Sequence, residues 1–303
     1  MRIFTIGETT YDIIFENGRP TGGCSGGSAY NSAISLGRCG LPVSLITTFG
    51  NDKLGDLSLN FLNKNGVNCD LVKRFEGRSR LAIAFIDDSN NADYSFYQAS
   101  KDVVPDYPDP QKNDIILLGS SFALRDNGRD NLLGFLSKAR DNGAIIIYDP
   151  NARQPISENT ENYHKIMQNI SLATIIKGSD QDFDHIYRLN RGAEVYDRIS
   201  EFGNKILVYT KGADGAELHK SEHQIALSAK KVKVVSTIGA GDNFSAGIVY
   251  GLSLHLTKNQ TMDEFTLTDW NEVMKMGLLF ASDVCGSTEN YLSHSAANQL
   301  NIK

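Results

Sequence analysis

Short apolar runs alternate with longer amphipathic segments along most of this chain. The apolar runs that predict strands are 3–6, 43–47, 115–119, 144–148, 174–177 and 206–210. The segments whose apolar residues have helical spacing are 29–38, 55–65, 129–142, 163–171 and 193–202. Strands without a polar face are buried on both sides, and helical connections between them produce parallel pairing. The pattern therefore predicts an α/β fold with a mainly parallel central sheet.

Three other segments alternate apolar and polar residues, as half-exposed strands do. They lie at 11–15, 81–86 and 94–97. The polar run 87–91 is typical of a turn. We favour a small antiparallel sheet that covers the α/β body as a lid, contributed by about 11–22 and 72–100. The alternative is that these strands extend the central sheet. The whole chain, 1–303, is expected to form one domain.

Composition and charge narrow the functional classes. The chain has 303 residues, of which 41% are hydrophobic and 22% charged, as in an ordinary globular protein. Its net charge of −6, without a basic stripe, argues against nucleic acid as a partner. The N-terminal apolar run is too short for a secretory signal, and no stretch approaches the ~20 apolar residues of a membrane span. Four widely spaced cysteines show no zinc-binding pattern and suit a reducing compartment. We therefore expect a cytoplasmic protein that does not bind membranes.

The run Ser-Thr-Ile-Gly-Ala-Gly-Asp-Asn-Phe at 236–244 is the most informative motif. The valine-rich stretch 232–235 before it predicts a strand, and the segment 244–250 after it predicts a helix. Backbone N–H groups at a strand–turn–helix junction can hold an anion, and glycine allows the ligand to approach closely. Asp242 beside such a site suggests a base that deprotonates a nucleophile attacking a phosphate. The alternative is an ordinary glycine turn with an aspartate as helix N-cap.

Polar residues also occur at one end of the predicted strands. Asp149, Lys177 and Lys211 lie at or just after strand ends, where parallel sheets bind their ligands. The glycine-dense segment 22–31 leads into a helix, and Asn31 there offers both a donor and an acceptor. Alone, this segment is equally compatible with a flexible loop. The P-loop pattern does not occur, and no G-x-G-x-x-G follows the first strand, so a dinucleotide site is disfavoured.

Four motifs stand in a recognisable order along the chain. They are Gly-Gly-x-x-x-Asn at 26–31, Asp-Pro-Asn-x-Arg at 149–153, Thr-Lys-Gly-x-x-Gly at 210–215 and Gly-Ala-Gly-Asp at 239–242. With these motifs the chain resembles, over nearly its whole length, the PfkB or ribokinase-like family of carbohydrate kinases, particularly its fructokinase-like members. The resemblance implies a ribokinase-like three-layer α/β/α sandwich with a small β-sheet lid over the sugar. It also implies transfer of the γ-phosphate of ATP, with Mg²⁺, to a sugar hydroxyl.

The resemblance implies roles for individual residues as well. In the catalytic group Asp242 takes the hydroxyl proton, and the turn formed with Gly239, Ala240 and Gly241 is the anion hole. The substrate-binding residues are Asp12, Gly26, Gly27, Asn31 and Arg153. The nucleotide-binding residues are Lys177, Thr210, Gly212, Gly215 and Ser282, and Asp182 holds Mg²⁺ through water. Taken singly, Asp12 also suits a strand-edge hydrogen bond, Arg153 a surface ion pair, and the glycines a hairpin.

The chain departs from the family pattern at several positions. Ser236 stands where the family commonly has an aspartate that helps to hold a monovalent cation, so we expect weak or absent potassium activation. Ser179 and Asp182 replace the family's Asn-x-x-Glu, which organises Mg²⁺ and phosphate. Ser282 lies where relatives often carry an asparagine at the adenine pocket.

The substrate is the least determined part of the prediction. Gln98 stands where kinases of sugar acids often have an arginine, and glutamine cannot pair with a carboxylate as arginine does. This favours a neutral sugar, and the segment 149–153 favours a ketohexose such as fructose. A ribose or nucleoside kinase is the alternative enzyme. A kinase-like protein that binds sugar or nucleotide with little turnover is the alternative class. The resemblance also implies a homodimer formed through the lid.

Overall fold

The computed structural model describes residues 1–86, 92–256 and 261–301, and the turn expected at 87–91 lies outside the described residues. Strands and helices are numbered in chain order. The strands of the larger sheet are β1 (Ile3–Ile6), β4 (Val43–Gly50), β5 (Val72–Phe75), β8 (Ile115–Gly119), β9 (Ile145–Asp149), β10 (Ile175–Ser179), β11 (Ile206–Thr210), β12 (Ala216–Lys220) and β13 (His223–Leu227). The strands of the smaller sheet are β2 (Thr10–Glu16), β3 (Arg19–Gly26), β6 (Leu81–Ile86) and β7 (Ala92–Tyr97). The helices are α1 (Ser28–Arg38), α2 (Lys53–Lys64), α3 (Arg129–Asp141), α4 (Glu161–Leu172), α5 (Asp180–Tyr187), α6 (Gly192–Ser200), α7 (Ala240–Leu256), α8 (Leu267–Cys285) and α9 (His294–Asn301).

The larger sheet has the order β13-β12-β11-β10-β9-β8-β1-β4-β5. All neighbours from β11 to β5 are parallel, and only the hairpin β11-β12-β13 at one edge is antiparallel. The predicted parallel sheet is thus confirmed, and all six apolar runs that predicted strands form strands of it.

Helices cover both faces of the larger sheet. Successive residues of a strand point to opposite faces, so Ile145 and Ile147 of β9 join one core while Ile146 and Tyr148 join the other. The first core receives residues from α1, α7 and α8, and the second from α3, α4, α5 and α6. This is the expected three-layer α/β/α sandwich, with an apolar core on each side of the sheet.

The smaller sheet is separate from the larger one, in the order β3-β2-β6-β7. Its outer pairs are antiparallel, but β2 and β6 pair in parallel, so it is a mixed sheet rather than a purely antiparallel one. It also differs in extent from the segments expected for the lid. The strand β5 joins the larger sheet through β4, and β3 continues to Gly26 instead of ending near residue 22.

The strand expected at 232–235 is wrong. These residues have no regular structure, and Val234 and Val235 are 58% and 52% exposed. The valines are interspersed with Lys231 and Lys233, so the stretch has no continuous apolar face to bury. The backbone N–H of Val235 donates instead to the carbonyl oxygen of Cys285, at 2.8 Å, at the end of α8. The segment therefore runs as a loop into the glycine turn that follows.

No helix in the described part of the chain is long and apolar enough to cross a membrane.

Candidate active site

A large open cleft lies between the carboxyl ends of the central strands and the smaller sheet. Its volume of about 1960 Å³ exceeds the roughly 300–1,000 Å³ of a pocket for one small ligand. The cleft is lined by all fifteen residues that the sequence assigned to the catalytic, substrate-binding, nucleotide-binding and metal-binding groups. They are Asp12, Gly26, Gly27, Asn31, Arg153, Lys177, Asp182, Thr210, Gly212, Gly215, Gly239, Ala240, Gly241, Asp242 and Ser282. The fold therefore brings together residues that are far apart in the sequence.

The glycine turn is the segment 239–242. Its last three residues are also the first residues of α7, which begins at Ala240. Gly239 has φ 79°, a left-handed conformation that favours glycine, and a side chain there would meet the backbone of Asn290. The side chain of Asn243 donates to the carbonyl oxygens of Gly239 and Asn290, at 2.8 Å each, and so ties the turn down. The first N–H groups of a helix have no intrahelical acceptor. The N–H of Ala240 donates to the carbonyl oxygen of Thr237 at 3.2 Å. The N–H groups of Gly241 and Asp242, at the positive end of a helix of 17 residues, are therefore the donors that the turn can offer to an anion.

Asp242 is held by α1, which packs beside α7 on the same face of the larger sheet. Asn31 Nδ2 donates to Asp242 Oδ2 at 2.8 Å, and the hydroxyl of Ser32 donates to the backbone oxygen of Asp242 at 2.9 Å. A carboxylate accepts only, so the amide NH₂ of Asn31 must face it. The amide oxygen of Asn31 is buried and has no hydrogen-bond partner in the described part of the chain. The site therefore contains an oriented carboxylate next to an unused acceptor.

Asp12 lies on β2, at the sheet side of the cleft. The hydroxyl of Thr10 donates to Asp12 Oδ1 at 2.7 Å. Burial raises the pKa of Asp12, and the Thr10 hydrogen bond and the charge of Arg153 oppose that rise. Arg153 is itself exposed in the cleft. A half-buried carboxylate near an exposed guanidinium is suited to binding hydroxyl groups.

The Gly26-Gly27 pair forms the entry into α1. A methyl group at Gly26 would lie 3.2 Å from Asp12 Oδ2, so the absence of a side chain keeps that oxygen accessible. Gly27 has φ 120°, and a side chain there would collide with the carbonyl oxygen of Glu8. The two glycines are thus required by the backbone path and by the space beside Asp12.

Lys177 lies inside β10 rather than after it, and its side chain is 5% exposed. Its Nζ is 2.7 Å from Asp149 Oδ2, and the hydroxyl of Ser245 also donates to this oxygen, at 3.3 Å. Burial raises the pKa of Asp149, and the charge of Lys177 opposes the rise. A methyl group at Gly241 would lie only 3.3 Å from Lys177 Nζ, so the ammonium group packs directly against the glycine turn.

The residues expected to bind a nucleotide also line the cleft. Thr210 ends β11, Gly212 begins a short 3₁₀ turn that Gly215 ends, and Ser282 lies on α8. Lys211, noted with them in the sequence, turns away: its Nζ is bound by Glu217 at 2.7 Å.

Ser179 and Asp182 make up the N-terminal cap of α5. Asp182 Oδ2 accepts from the backbone N–H and the hydroxyl of Ser179, at 2.7 Å each, and the Asp182 N–H donates back to that hydroxyl at 3.1 Å. The described residues contain no cluster of three or more His, Cys, Asp or Glu side chains that could hold a metal ion. A divalent cation in this cleft would depend on the capping carboxylate, on water and on ligand oxygens.

A second charged cluster in the cleft escaped the sequence analysis. Glu8 follows β1 and lies 3.2 Å from a guanidinium nitrogen of Arg80 and 3.7 Å from one of Arg125. Arg125 also pairs with Asp102, and Arg80 Nε donates to Gln98 Oε1 at 3.2 Å. These residues come from distant parts of the sequence; only the place of Glu8 after a strand could have marked it. The guanidinium of Arg80 beside Gln98 is thus already paired with a carboxylate of this chain, and the preference for a neutral substrate stays a prediction.

Comparison with known proteins decides the family. The model of the pfkB family of carbohydrate kinases matches residues 2–290, nearly the whole chain. The chain belongs to this family. As a pfkB-family carbohydrate kinase it is a phosphotransferase, and the resemblance seen in the four sequence motifs is confirmed.

Relatives and solved structures agree with this assignment. The fructokinase of Rhizobium leguminosarum bv. trifolii is 29% identical over 256 residues, covering 80% of this chain and 77% of the relative. A fructokinase double mutant from Vibrio cholerae O395, solved with fructose, ADP and a potassium ion, superposes with a TM-score of 0.85 at 22% identity, covering 99% of this chain and 97% of that one. Aminoimidazole riboside kinase from Salmonella enterica, solved with aminoimidazole riboside and an ATP analogue, gives a TM-score of 0.84 at 21% identity, covering 100% and 99%. The two structures establish the fold of this pfkB-family kinase as ribokinase-like.

Proposed function

We propose that this pfkB-family kinase transfers the γ-phosphoryl group of ATP to a hydroxyl of a ketohexose such as fructose. One observation carries the proposal: the carboxylate of Asp242 lies beside the backbone donors of the glycine turn. Asn31 holds this carboxylate through a hydrogen bond of 2.8 Å. A carboxylate base beside an anion site is the arrangement that phosphoryl transfer to an alcohol requires. The 29% identity to a fructokinase supports the choice of sugar.

In this mechanism different residues of the cleft bind the sugar, accept its proton and stabilise the transferred group. Asp12, with Gly26, Gly27 and the amide oxygen of Asn31, binds the sugar hydroxyls, and Arg153 lies by the path of the phosphoryl group. Asp242 accepts the proton of the reacting hydroxyl. The backbone N–H groups of 239–242 hold the negative charge of the phosphoryl oxygens during transfer. The smaller sheet excludes water, which would otherwise compete with the sugar as acceptor.

ATP would bind at the part of the cleft lined by Thr210, Gly212, Gly215 and Ser282. These residues offer backbone and hydroxyl groups without bulky side chains. Mg²⁺ keeps several waters and is bound through few carboxylates together with phosphate oxygens, so Asp182 would hold it through water. Bound in this way, the ion would neutralise charge on the phosphate groups. The cytoplasmic location and a homodimer through the smaller sheet stay predictions from the sequence.

Two alternatives keep specific support. The likeness to a riboside kinase, with a TM-score of 0.84, favours a ribose or nucleoside substrate as the second candidate. Ser236 and Ser179, which replace family residues, favour a weakly active sugar- or nucleotide-binding protein as the third.

The test is ADP release from Mg-ATP with fructose, ribose, tagatose, gluconate-type acids and nucleosides. We expect turnover with a ketohexose, and Asp12→Ala should raise the KM for that sugar by about 30-fold or more, since it removes a charged hydrogen-bond partner. Turnover with ribose or a nucleoside alone would transfer the assignment to the second candidate. An unchanged sugar affinity in Asp12→Ala would remove Asp12 from the substrate site.

A further inference from the structure

The buried ion pair of Lys177 and Asp149 lies in the wall of the cleft. The two side chains are 5% and 7% exposed, and the Nζ–Oδ2 distance is 2.7 Å. Taking two charges out of water costs free energy that their attraction often fails to recover, so a buried pair is weak evidence for a stabilising role. A pair at this position calls for another explanation.

The ammonium group of Lys177 has donors to spare. An ammonium carries three N–H groups, and in the part of the chain that the structure describes its one recorded hydrogen bond is to Asp149. The group packs against Gly241, where a methyl group would lie 3.3 Å from Nζ, and it lines the cleft. The remaining donors therefore lie at the glycine turn, where an anion is expected.

Neighbouring carboxylates keep the side chain of Lys177 protonated. Burial alone would lower the pKa of Lys177, but the carboxylates of Asp149, Asp182 and Asp242 outweigh this, and the pKa is raised. The side chain thus remains a proton-carrying cation throughout the neutral range. It can act as a charged hydrogen-bond donor but not as a base.

We propose that Lys177 is a catalytic residue that donates a hydrogen bond to a non-bridging oxygen of the transferred phosphoryl group, resting on the proposed kinase function. The sugar oxygen forms its bond to the γ-phosphorus as the bond from that phosphorus to the β–γ bridging oxygen breaks. The proton of the sugar hydroxyl passes to Asp242, and ADP leaves with the electron pair of the broken bond. Lys177 keeps its proton and stabilises the charge on the phosphoryl oxygens.

This role differs from the sequence prediction, which placed Lys177 among the nucleotide contacts. A contact with the transferred group is lost when ADP is bound, whereas a contact with the rest of the nucleotide is kept. The competing explanation is structural: Lys177 neutralises Asp149 and thereby holds β9 and β10 in place. A neutral replacement of the whole pair separates these explanations, because it leaves no buried charge unpaired.

The test compares Lys177→Met, Asp149→Asn and the double variant Lys177→Met/Asp149→Asn. Lys205→Met is the matched control, since Lys205 is also buried but donates to the carbonyl oxygens of Ser171 and Ala173. In the double variant we expect kcat to fall by about 10²–10³-fold, as when one oxyanion donor is removed. The KM for the sugar and the affinity for Mg-ADP should change by less than about threefold, since neither contact involves the transferred group. Lys205→Met should keep the kcat of the wild type.

Calorimetry without sugar adds a readout that does not depend on turnover. The wild type should bind a non-hydrolysable Mg-ATP analogue more tightly than Mg-ADP. In the double variant the ratio of the two dissociation constants should shift by about tenfold towards Mg-ADP, because one charge-assisted hydrogen bond to the analogue is lost. If the double variant recovers wild-type kcat and the same preference, Lys177 is structural and the inference fails while the kinase assignment stands. If the wild type binds nucleotide but phosphorylates no sugar, the proposed function fails and the nucleotide preference alone decides the role of Lys177. Binding of neither nucleotide would overturn both.

Discussion

The contact between Asn31 and Asp242 predicts how α1 contributes to catalysis. Asn31 is 4% exposed, and its Nδ2 donates to Asp242 Oδ2 at 2.8 Å. In Asn31→Ala the carboxylate loses the partner that fixes its direction. A hydrogen bond to a charged group is worth about 1.5–3 kcal/mol, which corresponds to a loss of about 10- to 150-fold in kcat at 1.36 kcal/mol per tenfold.

Ser32→Ala is the matched control for this prediction. Ser32 is the neighbour of Asn31 on α1 and donates to the backbone oxygen of Asp242, at 2.9 Å, rather than to the carboxylate. Its removal should cost about 1 kcal/mol of unfolding free energy and lower kcat by less than about threefold, because the carboxylate keeps its partner.

Steady-state kinetics with the best sugar of the panel, together with urea unfolding of each variant, provides the assay. Asn31→Ala should also raise the KM for the sugar, since the buried amide oxygen of Asn31 disappears with the side chain. A kcat within about threefold of the wild type in Asn31→Ala, or equal losses in both variants, would refute the idea that this contact orients the base.

Three further predictions concern stability, pH and ions. Gly27→Ala places a side chain at φ 120° against a backbone carbonyl oxygen. Urea unfolding should therefore show an unfolding free energy lower by about 1–3 kcal/mol. The control Gly22→Ala, with open space around it, should change the unfolding free energy by less than about 0.5 kcal/mol. Burial acts to raise the pKa of Asp52, but hydrogen bonds from the backbone and from Ser79 outweigh it and lower the pKa. Its stabilisation is therefore present above the unfolded pKa of about 4 and is lost as the pH falls below it; Asp52→Asn should flatten the unfolding free energy between about pH 5 and pH 3, and an unchanged slope would contradict this. Because Ser236 replaces an aspartate, replacing Na⁺ by K⁺ should leave the rate nearly unchanged, and a several-fold rise with K⁺ would show the expectation to be wrong.

Much of the fold could be predicted because short stretches of the sequence indicate where the buried strands lie. The run at 144–148 is apolar without interruption and has to be buried on both faces, so β9 follows from the local pattern alone. The stretch 232–235 contains three valines, but the lysines among and beside them leave it no continuous apolar face, and it is an exposed loop. The glycines of β3 suggested flexibility, whereas pairing with β2 and the space required by Asp12 account for them. Local pattern thus predicts buried strands well and partly exposed segments poorly.

The site could be predicted where its residues fall in short motifs, and not where separate segments meet. The turn at 239–242 and the Gly26-Gly27 pair are contiguous, and the structure places them in one cleft. The cluster of Glu8, Arg80 and Arg125 depends on the approach of the smaller sheet to β1, which no local pattern records. These residues therefore emerged only from the tertiary structure.

The most direct test of the central claim is the kinetics of Asp242→Asn on the sugar that the panel identifies. The asparagine keeps an oxygen that can accept from Asn31, so the local structure should persist while the base is lost. We predict a fall of about 10²–10⁴-fold in kcat, the usual contribution of a general base, with the sugar dissociation constant within about threefold of the wild type. A variant that binds the sugar and retains most of its turnover would contradict the assignment of Asp242 as the base.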